Sequence, residues 1–394
     1  MARKQAFKQA ASLYTGITIL TLFKINLYYM AKHPRSHGKQ LIQSCKRRAL
    51  GYWQRSWWHK IIAVVVLSIM LMVGGMYGIA RWYIHSEAAQ PLQLGVSFIP
   101  DYAQSLGLNP QETLDHLLTI GVRQVRLVSY WSDGESTAGQ YDFSQLDWQF
   151  SKAEAAHAKV VLTVGLRQPR WPECHVPAWA ASEPAQVWQP QLENYMQAVV
   201  SRYRHSPSLQ SYQLENEFFL KGFGACTNFD RNRLVSEYNL VKKLDPAHPI
   251  IVGRSNNALG FPVGQPQPDL FSISVYKRVW DAAITHRYLE YPFPAWFYGY
   301  LAGVQKIVNH RDMVLGELQA EAWPPNGQTI PETSLSEQKK SLDAARLRDR
   351  IAYGKATGMR QIDLWGAEYW YYRLTVLHDP SLWNVAQQEF AAPN

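Results

Sequence analysis

The sequence predicts a (β/α)8 barrel behind an N-terminal transmembrane anchor. Three observations lead there: an uncharged apolar stretch from Ile61 to Ala80, eight short apolar or β-branched runs after Pro91, and amphipathic helical segments between those runs. Strands that alternate with helices imply a parallel sheet. Eight such units within about 300 residues match the size of a closed barrel. A doubly wound sheet, the structural alternative, normally shows fewer repeats and a glycine-rich phosphate turn, which the first strand here does not have.

The anchor is argued from length and flanks. As a helix, Ile61 to Ala80 covers roughly 30 Å, the thickness of the hydrocarbon core of a bilayer. A signal peptide has a shorter apolar core near the chain start, so this segment reads as an uncleaved anchor over residues 61–84. Arg47, Arg48, Arg55 and Lys60 precede it, and Arg81 alone follows closely. Trp57, Trp58, Trp82 and Tyr83 fall where interfacial aromatics belong. The expected topology is a single pass with a cytoplasmic N-terminus and residues 87–394 outside. A second apolar run within residues 12–30 is interrupted by Lys24 and is short for a span, which leaves an interfacial helix or a weaker second span open.

The whole chain of 394 residues carries a formal charge of +9, but residues 1–86 hold 13 of the 40 Lys and Arg and no acid. The remainder therefore has 27 basic and 31 acidic residues, a balance of −4. Basicity belongs to the arm over residues 1–60, so no nucleic-acid partner is expected of the outer domain. A composition 47% hydrophobic and 18% charged excludes a disordered chain.

The expected strands are Leu92 to Pro100, Val122 to Tyr130, Lys159 to Leu166, Leu209 to Asn216, Pro249 to Arg254, Leu270 to Tyr276, Asp312 to Leu318 and Gln361 to Ala367. Helical spacing runs through "NPQETLDHLLTIG", "DFSQLDWQFSKAEAAHA", "QPQLENYMQAVVSRYRH", "FDRNRLVSEYNLVKKLDP" and "SLSEQKKSLDAARLRDRIAYGKATG", several opened by Asn, Asp or Ser in capping position. In a barrel the chemistry collects at the C-terminal ends of the strands. Those ends carry Arg126 with Tyr130 and Trp131, Arg167, Asn216 with Glu217, Ser255 with Asn256, Tyr276, Glu317 and Trp365. Two carboxyl groups in different environments supply what glycosidic cleavage needs: a proton for the leaving oxygen and a nucleophile or negative charge for the oxocarbenium-like carbon.

With these residues in view, the chain resembles the clan A glycoside hydrolases, the cellulase-like and β-glycosidase barrels. The resemblance rests on Asn216-Glu217 ending the fourth strand, Tyr276 the sixth, Glu317 the seventh and Trp365 the eighth, and on "VRLVSYWSDGESTAGQYDFSQLD". It covers about Leu92 to Trp370 and none of the arm. It implies an O-glycosyl hydrolase acting on a β-linked poly- or oligosaccharide, with no cofactor, and the anchor's orientation places that substrate outside the cytoplasm. Glu217 would be the general acid/base and Glu317 the nucleophile of a retaining reaction. Asn216 would bind the sugar 2-hydroxyl, Arg126 and Tyr276 would hold Glu317 ionised and oriented, and Trp365 would form the floor under the sugar. Trp131 and Arg167 join this set as substrate contacts. Many relatives carry a His where the third strand here ends in "GLRQPRWPECHVPAW", so Arg167 and Arg170 suggest an acidic or otherwise unusual sugar. Glu321 lies one turn past Glu317 and is the weaker candidate nucleophile.

Other chemistries lack their motifs: no HExxH or CxxC metal spacing, no G-x-S-x-G elbow and no phosphate loop are present, so no metal site is expected. Trp171, Trp179, Trp296, Trp323 and Trp370 are loop tryptophans suited to sugar subsites or to packing between barrel and helices. In a barrel Cys174 follows strand three and Cys226 strand four, in neighbouring loops of the catalytic face, so a disulfide is expected between them; Cys45 lies in the arm. Two further functions fit the same residues: a surface carbohydrate-binding barrel without turnover, and a transglycosylase that remodels wall glycans.

Overall fold

The computed structural model describes residues 57–255 and 264–391. The basic arm before Trp57, with Cys45 and the apolar run of residues 12–30, lies outside them, as does Asn256.

The chain forms two compact units, the first ending at Gly75 and the second running from Met76. Helix Trp57–Glu87 is, among the described residues, the one helix long and apolar enough to cross a membrane. Up to Gly75 its side chains are open to the surroundings, with Leu71 68% exposed. From Met76 onward the same helix is packed against protein. Ala80 and Tyr83 are buried, and Tyr77 meets Trp296 edge-on. A Cβ at Gly303 would come within 2.8 Å of Ile79, and one at Gly299 within 3.2 Å of Ile84, so these two glycines allow helix Ala295–Asn309 its close approach. Glu87 pairs with Lys306 at 3.4 Å. The second unit thus takes in the last turns of the helix, which are covered by the outer layer of the barrel.

Among its described residues the second unit has ten strands: β1 Gln93–Ser97, β2 Gln124–Val128, β3 Lys159–Val164, β4 Leu209–Leu214, β5 Ile250–Ser255, β6 Leu270–Val275, β7 Arg278–Asp281, β8 Arg287–Glu290, β9 Asp312–Gln319 and β10 Gln361–Trp365. Eight close into a barrel in the order β1-β10-β9-β6-β5-β4-β3-β2, every neighbouring pair parallel. All eight expected runs supply a strand. Most stop one to three residues earlier than their apolar character suggests, because the chain leaves the ladder to aim polar side chains at the mouth.

Helix starts follow capping chemistry. Asn109 Oδ1 accepts from the amides of Gln111 and Glu112, Asp230 caps Arg231–Leu244, and Ser334 caps Leu335–Ser341. The long helical stretch after Ser334 breaks at Leu342, where Asp343 accepts from the Arg346 amide and opens a second helix, Ala344–Lys355. Inside the barrel Val161, Ile251 and Val314, from β3, β5 and β9, form an apolar layer, as alternate strands do in this architecture. Nearer the C-terminal ends the interior becomes polar, with Arg126, Gln213 and Glu317 buried together.

The β7–β8 hairpin was not foreseen. It is antiparallel, pairs Trp280 with Tyr288, and sits in the connection between β6 and helix Ala295–Asn309. Its strands of four residues are only partly buried, so they carry little of the hydrophobic signal that marks the barrel strands.

Candidate active site

The turn after β4 sorts three consecutive polar residues. β4 ends at Leu214, the Glu215 amide donates to Val164 O at 2.9 Å, and the Asn216 amide donates to Arg167 O at 2.6 Å. Glu215 and Glu217 both adopt left-handed backbone, φ 55° and 44°, which costs an L-residue about 1 kcal/mol or more each. Glu215 turns into the scaffold: it accepts from the amides of Leu166 and Arg167 at 2.6 and 3.0 Å and pairs with Arg233 at 2.7 Å. Glu217 turns into a cavity of about 470 Å3.

There it is 5% exposed, and its Oε1 is buried with no hydrogen-bond partner among the described residues. Burial first, then the nearby Glu317 charge, push its carboxyl up to about 8, with a hydrogen bond from Ser274 opposing in part. Glu217 therefore keeps its proton near neutral pH.

Glu317 is built differently. β9 slips register beside both neighbours, with Leu315 opposite Ile273 and then Glu317 opposite Ser274. Such a bulge re-aims the following side chain. Gly316 is required in it, since a Cβ would fall 2.1 Å from Ser272 Oγ. Arg126 Nη2 donates to Glu317 Oε1 at 2.8 Å, and the Tyr276 hydroxyl donates to Oε2. Arg126 is itself held by Ser97 Oγ and Gln213 Oε1, both at 3.0 Å.

Of the expected residues, Glu217, Glu317, Asn216, Tyr276 and Trp365 line the one cavity. Trp365 donates from Nε1 to Glu321 Oε1 at 2.8 Å, and the Arg170 guanidinium lies 4.4 Å from its ring centre. Two expected contacts are corrected. Trp131 is fully buried, donates to Glu135 Oε2 at 2.7 Å and packs edge-on against Trp179, so it has no face for a sugar. Arg167 is 1% exposed and braces the loops, donating to Asn216 O at 2.6 Å and Phe223 O at 2.8 Å. Arg126 does not itself line the cavity; as expected it donates to Glu317, and it lies 5.4 Å from the Trp365 ring centre.

An acidic sugar also loses its expected partner, because Arg170 pairs with Glu321 at 3.2 Å. Among the loop tryptophans, Trp171 and Trp323 line the cavity, whereas Trp370 is buried and donates to Ala320 O at 2.7 Å. Trp296 lies partly buried against Tyr77. Trp179 donates to Glu135 O at 2.8 Å.

Sequence reasoning missed Glu173, a third carboxylate on the cavity wall beside Asn216. It also missed Trp280 and Tyr291, which the β7–β8 hairpin brings to the rim. Glu173 had one signal: it precedes Cys174, whose disulfide to Cys226 joins the loops after β3 and β4.

No protein-family model and no curated protein matches the sequence. Solved structures do match. The β-galactosidase of the Antarctic haloarchaeon Halorubrum lacusprofundi is 13% identical, with TM-score 0.50 over 77% of this chain and 58% of its own. That of the psychrophilic Marinomonas ef1 is 14% identical, with TM-score 0.50 over 76% and 59%. GH5_18 from Streptomyces cattleya, solved with GlcNAc, is 12% identical, with TM-score 0.50 over 78% and 82%. The chain thus spans less than two thirds of the two β-galactosidases it matches. At these identities the likeness concerns architecture alone, and the fold of this chain is a closed (β/α)8 barrel.

Proposed function

We propose that the chain is a membrane-anchored retaining β-glycosidase whose catalytic domain acts on glycans outside the cytoplasm. The observation that supports this best is the pair of carboxyl groups on one cavity, Glu317 ion-paired and Glu217 buried and proton-holding. Such divergent environments separate an acid from a nucleophile. Glu217 donates its proton to the leaving oxygen while Glu317 attacks the anomeric carbon, the carbon–oxygen bond breaks, and a glycosyl ester forms. Glu217, now a carboxylate, takes a proton from water, whose oxygen displaces Glu317 and restores both groups. Arg126 and Tyr276 donate to the two Glu317 oxygens and aim them, and Trp365 offers its ring to the C–H face of the sugar.

Membrane attachment draws support from helix Trp57–Glu87. Orientation draws it from the basic residues before the span, and an oxidising compartment from the Cys174–Cys226 disulfide. The test is a panel of aryl β-glycosides offered to the full chain in detergent. Turnover is expected with at least one; Glu317→Gln is expected to abolish it, and Glu217→Gln to depress it most on the aryl glycosides with the poorest leaving groups. Activity that survives both substitutions, or glycan binding without any product, contradicts the proposal. The second outcome would establish a binding barrel instead.

A further inference from the structure

The walls of the catalytic cavity differ in chemistry. Glu317 is backed by Arg126 and, behind it, by Gln213. On the side of Glu217, the proton donor, the lining comes from Leu220, Gly222 and Phe223 in the loop after β4, with Trp171 of the loop after β3 standing edge-on to Phe223. The Leu220 amide donates to Glu217 O at 2.8 Å, so this wall is built on the same turn as the acid. Its side chains offer one hydrogen-bonding group, the Trp171 indole N–H. A sugar leaving past this wall would lose water from its hydroxyls without gaining partners, whereas an apolar group gains burial there.

The β7–β8 hairpin extends the apolar surface. Val279 and Trp280 line the cavity, while Ile284 in the hairpin turn is 85% exposed and Leu289 is exposed beside it. Trp171, at 65%, is open to solvent as well as to the cavity. Exposed apolar side chains gathered on the elements of a rim mark a surface that meets an apolar partner. The chain also reaches this unit from the side of the mouth. A helix that joins parallel strands returns from the C-terminal end of one to the N-terminal end of the next, and Ala295–Asn309 does so between β6 and β9. Tyr77 meets Trp296 in its first turn, and Glu87 pairs with Lys306 near its end. Met76 therefore stands at the catalytic end of the barrel, where the chain enters directly from the apolar residues 61–75. Charge narrows the partner further. Arg170, the one cationic side chain lining the cavity among the described residues, is paired with Glu321 at 3.2 Å, so a phosphate linkage would find no free cation there.

We propose that the substrate is a glycolipid in which the sugar is joined to a neutral lipid alcohol, and that Leu220, Phe223, Trp171 and Val279 hold the first part of the lipid. The bond between the anomeric carbon and the alcohol oxygen breaks, the alcohol leaves with the Glu217 proton, and water then releases the sugar from Glu317. This rests on the glycosidase proposal, and the experiment separates the two. The full chain is placed in phosphatidylcholine vesicles, so that detergent does not compete for an apolar site. Its kcat/KM is measured on the para-methylphenyl, para-butylphenyl and para-octylphenyl β-glycosides of the sugar that the aryl panel releases. These leaving groups share one acidity, so only apolar length changes along the series. Phe223→Ser and Val279→Ser are measured beside the parent, with the melting temperature and peptide mapping of the Cys174–Cys226 link verifying that each folds.

A fully buried methylene is worth about fourfold in binding. A partly buried chain should raise kcat/KM by about tenfold or more from methyl to octyl, chiefly through KM, and each variant should cut that ratio by about threefold or more. A flat series would overturn the proposal. So would a rise that both variants keep in full, because partition of the substrates into the bilayer alone produces it. If no aryl glycoside is turned over, the glycosidase proposal is what fails, and tryptophan fluorescence titration with methyl and octyl β-glucoside, the latter below its micellar concentration, decides the apolar site. Octyl binding about tenfold tighter than methyl, with the gap narrowed in Phe223→Ser, would support it. Equal binding of the two, or a gap unchanged in the variant, would overturn it.

Discussion

Glu317 and Glu217 face the same cavity, yet one oxygen of Glu317 is bound by Arg126 and the other by Tyr276, whereas Glu217 Oε1 is buried without a partner among the described residues. Both are nearly inaccessible, at 2% and 5% exposure, so burial alone does not set them apart. The partners do. A guanidinium and a phenol stabilise the charged form of a carboxyl; burial beside a second carboxyl, with one hydroxyl opposing, stabilises the neutral form. The sequence places both residues at strand ends, and the bulge at Gly316 and the left-handed turn at Glu217 give each its surroundings.

The largest expected effect comes from deleting the ion-paired side. Glu317→Ala should lower turnover on the order of 10^4-fold or more for every substrate, since no other group takes up the anomeric carbon. Glu217→Gln should cost about 10^2 to 10^4-fold on substrates with poor leaving groups and much less on activated aryl glycosides, which leave without a proton. Equal losses across leaving groups would break the contrast between the two acids. Arg126→Met should leave Glu317 as an uncompensated buried charge, costing about 3–5 kcal/mol of stability in a denaturant titration.

The proton-holding side predicts a pH dependence. Unfolded glutamates ionise around 4.3, while folded Glu217 and Glu173 keep their protons to about 8 and about 7. Between about pH 4.5 and 8 the folded state thus binds more protons than the unfolded one, and stability falls as pH rises through that window. The melting temperature should drop over this range, Glu217→Gln should flatten the drop, and activity should decline as pH passes about 8. A flat melting profile in the parent protein would contradict the assignment.

The smallest effect concerns the helix. A chain truncated to begin at Glu87 loses the buried Ala80 and Tyr83 and the packing of Ile79 and Ile84 on Gly303 and Gly299. It should melt several degrees below one that begins at Met76, the scale expected for a few kcal/mol of lost apolar burial.

The barrel was legible because its eight strands are apolar, short and regularly spaced, which is the signal periodicity carries. Glu217, Glu317, Asn216, Tyr276 and Trp365 could be picked out as strand-end residues, and the structure brings those five around one cavity. What stayed hidden depends on backbone direction. Trp131 opens the one-turn helix Trp131–Gly134 and Glu173 lies in a loop, and only the fold reveals that the first turns inward against Trp179 while the second is twisted toward Asn216. Arg167 looked like a ligand because it ends a strand, but carbonyls from two loops claim its guanidinium. The β7–β8 hairpin and the docking of residues after Met76 escaped notice because partly exposed strands and a long apolar helix have no internal mark of what they pack against.

The most direct test of the two-carboxylate mechanism is to trap the glycosyl intermediate. The full chain is incubated with activated 2-deoxy-2-fluoro β-glycosides, digested, and the labelled peptide sequenced by mass spectrometry. The account predicts one sugar per chain, esterified to Glu317, with the same adduct still formed in Glu217→Gln, because an activated group leaves without a proton. A label on Glu217 or Glu321, or inactivation-free turnover with no adduct from any substrate the enzyme hydrolyses, would contradict it.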